Sequence, residues 1–190
     1  MTSLLARFWL FLWRFEAVRC QEPIPAKCVM IAAPHTTNWD FPMMLALAKV
    51  SGVKVSWLGK RSLFKGPMGP VMRRLGGVAV DRAAPGGMVA ALASEFEHVE
   101  RLALMVPAEG TRSRTEYWKS GFYRIAQQAD VPIVLAFVDT TTRTGGFGPS
   151  VVASGDLTAD MDVMRAFYDG KAGLRRGRFG PVRLKEETGS

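Results

Sequence analysis

Short apolar runs that alternate with helical patterns constrain the fold of this chain more than any other feature of its sequence. The helical patterns lie at 41–50, 86–101 and 119–130. The apolar runs, each long enough for one buried strand, lie at 27–33, 53–58, 77–81, 102–108 and 131–138. Because strands connected by helices pair in one direction, the sequence predicts a single α/β domain with a largely parallel mixed sheet flanked by helices.

The segments beyond this alternating region are less regular. Residues 150–155 have the pattern of a further strand and residues 160–170 that of a helix. The basic tail after Gly170 is predicted to be a loop or an edge strand. Short helical turns are expected around Pro67 and Pro70. Since no repeat or long linker interrupts the chain, we expect one domain over 17–190, preceded by a helix over 1–16.

The N-terminal segment LLARFWLFLWRF is apolar and aromatic, but it is too short to span a membrane, and Arg7 and Arg14 interrupt it. It also lacks the order of charge, apolar core and small residues that marks a secretory signal. On a helix its large apolar side chains form a stripe: Leu4, Leu5, Phe8, Trp9, Leu12 and Phe15. The pattern favours an amphipathic helix lying on an anionic membrane surface. A helix that packs this stripe onto its own domain is the alternative.

Charge and composition restrict the partners. The chain has 25 Lys and Arg against 17 Asp and Glu, and its net charge of +8 favours anionic partners. The basic residues are dispersed and are not interleaved with aromatic ones, so we expect no nucleic acid partner. Cys20 and Cys28 are read as free thiols, and with only two histidines no metal site or other cofactor is expected.

Polar clusters follow three of the predicted strands. PHTTNWD (34–40) follows the first, GKRSLF (59–64) the second and EGTRSR (109–114) the fourth. In parallel sheets, ligands bind beyond the carboxyl ends of the strands, where loops lead into helices. The three clusters are therefore predicted to converge on one edge of the sheet and to form a binding site there.

His35 and Asp40 are the candidate acid–base pair of the first cluster. On one helix, residues five apart point about 140° away from each other, so the two side chains meet only if His35 lies in the loop and Asp40 begins the helix. Pro34 and Pro42 favour that placement. Asp40 would then fix the imidazole tautomer and leave His35 as a general base. Taken alone, these residues favour a simpler alternative, in which Asp40 caps the helix and His35 is a polar loop residue.

The other two clusters carry candidate anion-binding residues. Arg112 and Ser113 suit a phosphate or carboxylate, and Gly110 allows a tight turn before them. An ion pair between Glu109 and Arg112 that stiffens the loop is the alternative. GKRSLF lacks the spacing of a nucleotide phosphate loop, so Lys60 is read either as an anion ligand or as a solvated charge.

Four ordered blocks over about residues 27–140 resemble the 1-acylglycerol-3-phosphate acyltransferase (lysophosphatidate acyltransferase) family of the glycerolipid acyltransferase superfamily. The His-x4-Asp motif is matched from His35 to Asp40, the second block from Gly59 to Arg82, the Glu-Gly-Thr-Arg-Ser block from Glu109 to Ser113, and a Val-Pro-Ile-Val run at 131–134. Ala108 and Leu135 depart from the family, which usually has proline at both positions.

The resemblance implies an enzyme whose 17–190 segment is an acyltransferase domain. His35, held by Asp40, would take the proton from the acceptor hydroxyl that attacks an acyl thioester of coenzyme A or acyl carrier protein. The residues implied to bind the acceptor, directly or by ordering the loop as Glu109 would, are Glu109, Gly110, Thr111, Arg112, Ser113, Lys60 and Arg82. The acceptor would be a lysophospholipid, foremost 1-acylglycerol-3-phosphate, and the protein would lie peripherally on the cytoplasmic face of a membrane.

The sequence leaves two alternatives open. In the first, the acceptor is another lysolipid or a glycolipid, because no residue in the four blocks identifies a head group. Alternatively, the protein is an inactive module that binds lipid or phosphate without turnover, although intact His35, Asp40, Glu109 and Arg112 argue against it.

Overall fold

The computed structural model describes residues 2–18, 20, 22–80 and 87–188. Within them, the strands are β1 (Glu16–Val18), β2 (Lys27–Ala33), β3 (Val55–Lys60), β4 (Gly77–Val80), β5 (Leu102–Val106), β6 (Ile133–Asp139) and β7 (Thr144–Val151). They form one seven-stranded sheet in the order β1-β7-β6-β2-β5-β3-β4. The five strands from β6 to β4 are parallel, whereas β7 is antiparallel to β6 and β1 is parallel to β7. The predicted single α/β domain with a largely parallel mixed sheet is confirmed.

Helices cover both faces of the sheet. They are α1 (Ser3–Leu12), α2 (Asp40–Val50), α3 (Met68–Arg74), α4 (Gly87–Glu95), α5 (Gly121–Gln128) and α6 (Leu157–Tyr168), with 3₁₀ turns at Arg61–Phe64 and Lys185–Thr188. On one face Ile31, Leu104 and Leu135 pack in a common core with side chains of α4, α5 and α6. On the other face Met30 and Met105 pack against residues of α2. Burial on both faces explains why β2 and β6 are almost continuously apolar.

The region that the sequence predicts poorly lies at one edge of the sheet. The expected strand at 150–155 is wrong, because β7 runs from Thr144 to Val151 and its glycine-rich first half carries most of the pairing with β6. A Cβ at Gly145 would lie 2.7 Å from Leu47 Cδ1, so close packing against α2, not strand propensity, selects the residue there. The expected helix at 160–170 is α6, which begins earlier, at Leu157, and ends at Tyr168.

α1 packs on α2 through the face that carries Ala6 and Leu10. Ala6 and Leu10 are buried against Met43 and Leu47, and Phe15 joins the same cluster just after the helix. Five large apolar side chains of α1 remain exposed, namely Leu4, Leu5, Phe8, Phe11 and Leu12. One face of the helix thus docks on the domain, while most of the predicted stripe faces outward. Its contact with a membrane stays a prediction. In the described residues, no helix is both long and apolar enough to cross a bilayer.

Candidate active site

The carboxyl edge of the sheet brings the first and third polar clusters together. His35 follows β2 and Glu109 follows β5, and these strands are neighbours in the sheet. β3, which ends at Lys60, is the next strand outward. Because the strands are parallel, their carboxyl ends meet at one edge, as the sequence predicts.

His35 and Asp40 are in contact. His35 lies in the loop after β2, and Asp40 is the first residue of α2. The peptide bond between Ala33 and Pro34, at the start of this loop, is cis. The imidazole Nδ1 lies 3.1 Å from Asp40 Oδ2. A carboxylate at Nδ1 fixes the proton on that nitrogen and leaves Nε2 as the acceptor. Nε2 has no hydrogen-bond partner among the residues that the structure describes, and the side chain is about one-quarter exposed at 25%.

Backbone donors hold the Asp40 carboxylate in place. Oδ2 also accepts hydrogen bonds from the amides of Thr36, at 2.6 Å, and Thr37, at 2.8 Å. The carboxylate lies in the first turn of α2, where the helix dipole favours negative charge. The loop thus wraps around the same oxygen that orients His35. Asp40 acts on the loop that precedes its helix, a more specific role than a simple cap.

Glu109 holds the backbone of His35 through a hydrogen bond. Its side chain is 1% exposed, and Oε1 accepts a 2.8 Å hydrogen bond from the backbone amide of His35. Burial, helped by the charge of Asp40, raises the pKa of Glu109 to about 7, against the effect of that hydrogen bond. Within the described chain, Glu109 makes no ion pair with Arg112, so the alternative of a loop-stiffening pair is not what the structure contains.

The residues that follow Glu109 form a turn and an exposed loop, of which Arg112 lines the cleft. Gly110 turns the chain with φ of +66°, and its amide donates to the carbonyl of Pro107. Thr111, Arg112 and Ser113 are exposed, and Thr111 Oγ1 accepts from the amide of Ser113 at 3.2 Å. Arg112 and His35 line the same cleft.

Of the second cluster and its block, the two candidate phosphate ligands cannot be located by their side chains among the described residues. Lys60 ends β3 near this edge, but its side chain lies outside the described residues. Arg82 lies outside them altogether. The roles that the resemblance gives to these two residues therefore stay predictions.

An apolar cleft of about 270 Å³ opens beside His35 and runs between α2 and the sheet. Its walls are mostly side chains of α2 and of the sheet face below it, among them Met44, Leu47, Trp57, Met105, Phe137 and Phe147. His35, Asn38, Asp40 and Arg112 are its polar lining. A mainly apolar space with a few polar groups at one end suits a ligand that has a hydrocarbon part and a polar reacting part.

Two residues of the histidine loop have positions that the sequence analysis missed. Thr36 is fully buried at 0% exposure and connects Asp40 to the C-terminal part of the chain. Its backbone amide donates to Asp40, and its side-chain hydroxyl accepts from the amide of Arg175. Trp39, which is 53% exposed, lies with its ring centroid 5.9 Å from those of Trp9 and Trp13. The N-terminal segment therefore packs directly against the loop that carries His35. Both residues stand between His35 and Asp40, and that position was the only signal for them.

Metal ligands and reactive thiols are the next groups to consider. In the part of the chain that the structure describes, no three His, Cys, Asp or Glu side chains are grouped so that they could hold a metal ion. Cys20 and Cys28 are free thiols, and burial raises the pKa of Cys28 to about 12. That thiol is therefore protonated near neutral pH and unsuited to nucleophilic chemistry.

Comparisons with known proteins define the class. The sequence model of the Acyltransferase family matches residues 17–137, which is more than half of the chain. The chain therefore belongs to the acyltransferase family. The resemblance to the glycerolipid acyltransferases is confirmed at that level.

A solved structure with the same fold is the 1-acyl-sn-glycerophosphate (LPA) acyltransferase PlsC from Thermotoga maritima. It matches with a TM-score of 0.60 at 16% identity, over 86% of this chain and 74% of that one. Comparison with curated proteins finds no match. At this identity the structural match supports the fold, while the family match supports acyl transfer.

Proposed function

We propose that this acyltransferase moves a fatty acyl chain from an acyl thioester to the free hydroxyl of a lysophospholipid. The acceptor we propose is 1-acylglycerol-3-phosphate, which gives phosphatidate. One observation carries the proposal: the His35–Asp40 pair, with its Nδ1–Oδ2 distance of 3.1 Å, stands at the mouth of an apolar cleft that Arg112 also lines.

The proposed chemistry needs only a general base. Nε2 of His35 takes the proton of the acceptor hydroxyl as its oxygen attacks the thioester carbonyl. The C–S bond breaks as the new C–O bond forms, and the imidazolium returns the proton to the departing thiolate. Asp40 accepts the Nδ1–H throughout and stabilises the transient imidazolium. No covalent acyl-enzyme is required, which agrees with the protonated, buried state of Cys28.

Arg112 is the proposed ligand of the acceptor phosphate. Its guanidinium makes no ion pair with a described residue, and it lines the cleft beside His35. A planar guanidinium can give two parallel hydrogen bonds to a phosphate, and the neighbouring Thr111 and Ser113 hydroxyls can add to them. Glu109, in contrast, is proposed as a positioning residue, since its carboxylate faces the His35 amide. Lys60 and Arg82 are proposed as further phosphate ligands on the resemblance alone.

The acyl donor is proposed to place its chain in the apolar cleft, with its thioester at His35. Coenzyme A and acyl carrier protein both present the same thioester, and either is compatible with the basic surface of a chain of net charge +8. We propose no other cofactor.

A peripheral position on the cytoplasmic face of a membrane is part of the same proposal. The exposed apolar side chains of α1, from Leu4 to Leu12, form a surface that suits the interfacial layer of a bilayer. The three-tryptophan contact through Trp39 joins this helix to the histidine loop. Lipid contact by α1 would therefore bring the site close to its membrane-borne acceptor.

The test is thiol release from palmitoyl-coenzyme A in detergent micelles with a panel of acceptors. We expect release that depends on lysophosphatidate and is at least about tenfold slower with lysophosphatidylcholine, because a phosphodiester offers fewer anionic oxygens to Arg112. Faster release with a lysolipid that lacks a phosphomonoester would contradict the proposed acceptor. No release with any lysolipid or glycolipid, from coenzyme A or acyl carrier protein, would contradict the proposed reaction.

A further inference from the structure

The segment that follows α6 crosses the carboxyl edge of the sheet, beside the proposed active site. We call residues 171–184 the C-terminal strap. It has no helix, and an isolated bridge joins Leu184 to Trp118. It begins at the end of β6, where the amide of Ala172 donates to Asp139 Oδ1 at 3.1 Å. The matched family region ends at residue 137, so the whole strap lies beyond it.

The strap is bound to the histidine loop. The amide of Arg175 donates a 3.0 Å hydrogen bond to Thr36 Oγ1, and the amide of Thr36 donates to Asp40 Oδ2. A Cβ on Gly173 would lie 2.5 Å from Thr36 Cγ2, so the strap passes this loop at a distance that only glycine allows. The backbone of Arg175 is thus two hydrogen bonds away from the carboxylate that orients His35.

The strap is also bound to the loop that carries Arg112. Nη1 of Arg178 donates to the carbonyl oxygen of Arg112 at 3.4 Å, and Nη1 of Arg114 donates to the carbonyl of Phe179 at 2.7 Å. The amide of Arg178 donates to the carbonyl of Arg175 at 3.4 Å, which closes a turn. The first and last residues of such a turn lie within about 7 Å of each other at their Cα atoms. One turn therefore places two arginines between the two loops of the site.

Apart from the Arg178 contact with the Arg112 carbonyl, the anchors of the strap do not use these two side chains. Leu174 packs against the cluster formed by α1 and α2, and Phe179 packs into the core on the other face of the sheet. The Arg175 anchor to Thr36 uses the backbone amide. Among the described contacts, the guanidinium of Arg175 therefore does not hold the strap, and that of Arg178 has N–H donors beyond the one that faces the Arg112 carbonyl.

The charges of the strap arginines are uncompensated. Three other arginines in this half of the chain have a carboxylate partner: Arg124 and Glu186, Arg165 and Glu187, Arg183 and Glu116. Arg114 and Arg143 instead donate to backbone carbonyls. Arg112, Arg175, Arg176 and Arg178 have none within 4.0 Å among the described residues. Like charges held together by fixed backbone contacts repel one another, and an anion between them removes that repulsion.

We propose that Arg175 and Arg178 belong to the acceptor site and bind, together with Arg112, the phosphomonoester of the lysophospholipid. The inference rests on the proposed function and deepens it. A dianionic phosphate has three terminal oxygens, enough for guanidinium groups that approach from both loops. The strap would in this way select a phosphomonoester over the phosphodiesters of other lysolipids.

The test compares Arg175→Gln and Arg178→Gln with wild type in the thiol-release assay. For each variant we expect the KM for lysophosphatidate to rise about tenfold, the lower end for a charged hydrogen bond at an exposed site, with kcat within about twofold. The KM for palmitoyl-coenzyme A should not change. Arg101→Gln is the control, because this exposed arginine precedes β5 at the opposite edge of the sheet and its removal changes the net charge equally.

Two results would overturn the proposal. One is an unchanged KM for lysophosphatidate in both variants with thermal midpoints equal to that of wild type. The other is a rise in the KM for palmitoyl-coenzyme A instead, which would assign the arginines to a donor phosphate.

Calorimetric titration with glycerol 3-phosphate, a soluble phosphomonoester, reads the site without turnover. We expect binding by wild type and Arg101→Gln, and weaker binding by both strap variants. If wild type binds it but transfers no acyl chain, the proposed function fails while the strap assignment stands. Equal binding by wild type and both strap variants, or no binding by wild type, would overturn the assignment.

Discussion

Single residues decide what this site can do, and Asp40 has the most functions in it. Its Oδ2 accepts from the Thr36 and Thr37 amides and lies next to His35 Nδ1. The same oxygen therefore shapes the loop and selects the tautomer. The spacing of His35 and Asp40 allows this pairing but by itself favours a simple helix cap, and the resemblance of the four blocks made the pairing the prediction. It could not predict the Thr36 contact with the strap, which joins residues 139 positions apart.

Asp40→Asn tests the charge of the carboxylate. The amide oxygen can take the place of Oδ2 and accept from the loop amides, so the fold should be kept. The negative charge that stabilises the imidazolium is lost, and kcat should fall by about 10²- to 10⁴-fold with little change in KM. Steady-state thiol release with lysophosphatidate measures this, and circular dichroism checks the fold. A folded variant that keeps more than about a tenth of wild-type kcat would remove Asp40 from the mechanism.

Glu109 predicts a pH dependence of stability. Its pKa is raised by burial from 4.5 in the unfolded chain to about 7 in the folded protein. The unfolded chain therefore releases this proton first, and the contribution of Glu109 to the free energy of unfolding falls as pH rises from 4.5 to about 7. The loss over this range is about 3 kcal/mol.

Glu109→Gln isolates that contribution, because glutamine stays neutral and keeps an oxygen for the His35 amide. Relative to wild type, the variant should gain about 3 kcal/mol of unfolding free energy between pH 4 and pH 8. Urea titrations at the two pH values measure the difference. If the difference between variant and wild type were the same at both, the carboxyl would not be titrating from a buried state.

Elements differ in how far the sequence determines them. The five parallel strands from β6 to β4 follow from their apolar runs, and β2 has the predicted bounds. β1 has three residues and β7 contains three glycines, so neither has the periodicity or propensity of a strand. They form because β7 pairs with β6 and β1 pairs with β7 at the edge of the sheet. Such pairing is a property of the folded chain that local patterns do not encode.

The exposed face of α1 predicts lipid contact. Phe8 and Phe11 are 57% and 74% exposed, and moving a phenylalanine side chain out of water contributes about 1.5–3 kcal/mol. The double variant Phe8→Ser, Phe11→Ser should bind phosphatidylglycerol vesicles at least about a hundredfold more weakly than wild type. Vesicle sedimentation measures this. Val152→Ser, Val163→Ser is the control, since these valines are also exposed, at 72% and 51%, but lie away from α1.

Two outcomes would contradict a specific contact between α1 and lipid. Vesicle binding equal to that of wild type in the phenylalanine variant would assign the exposed face of α1 to another partner. An equal loss in both double variants would mean that binding follows general surface hydrophobicity.

The molecule as a whole combines two loops predicted from sequence with a strap that was not. Parallel strands made the convergence of the histidine loop and the Arg112 loop foreseeable, because their carboxyl ends share one edge. The strap follows no periodicity, and its place depends on contacts with Thr36 and Trp118 that only the folded chain brings together. The sequence analysis expected the segment after Gly170 to be basic and irregular, but not to contact the histidine loop and the Arg112 loop.

We propose above that His35 transfers the proton in acyl transfer to a lysophospholipid. The most direct measurement is phosphatidate formation from lysophosphatidate and palmitoyl-coenzyme A, quantified by mass spectrometry for wild type and His35→Ala at equal folded concentration. We predict that wild type forms phosphatidate and that the variant forms less than about a hundredth as much, the smallest loss expected for a missing general base. Equal product from both proteins would contradict the account, since the Asp40-held imidazole would then have no part in the reaction.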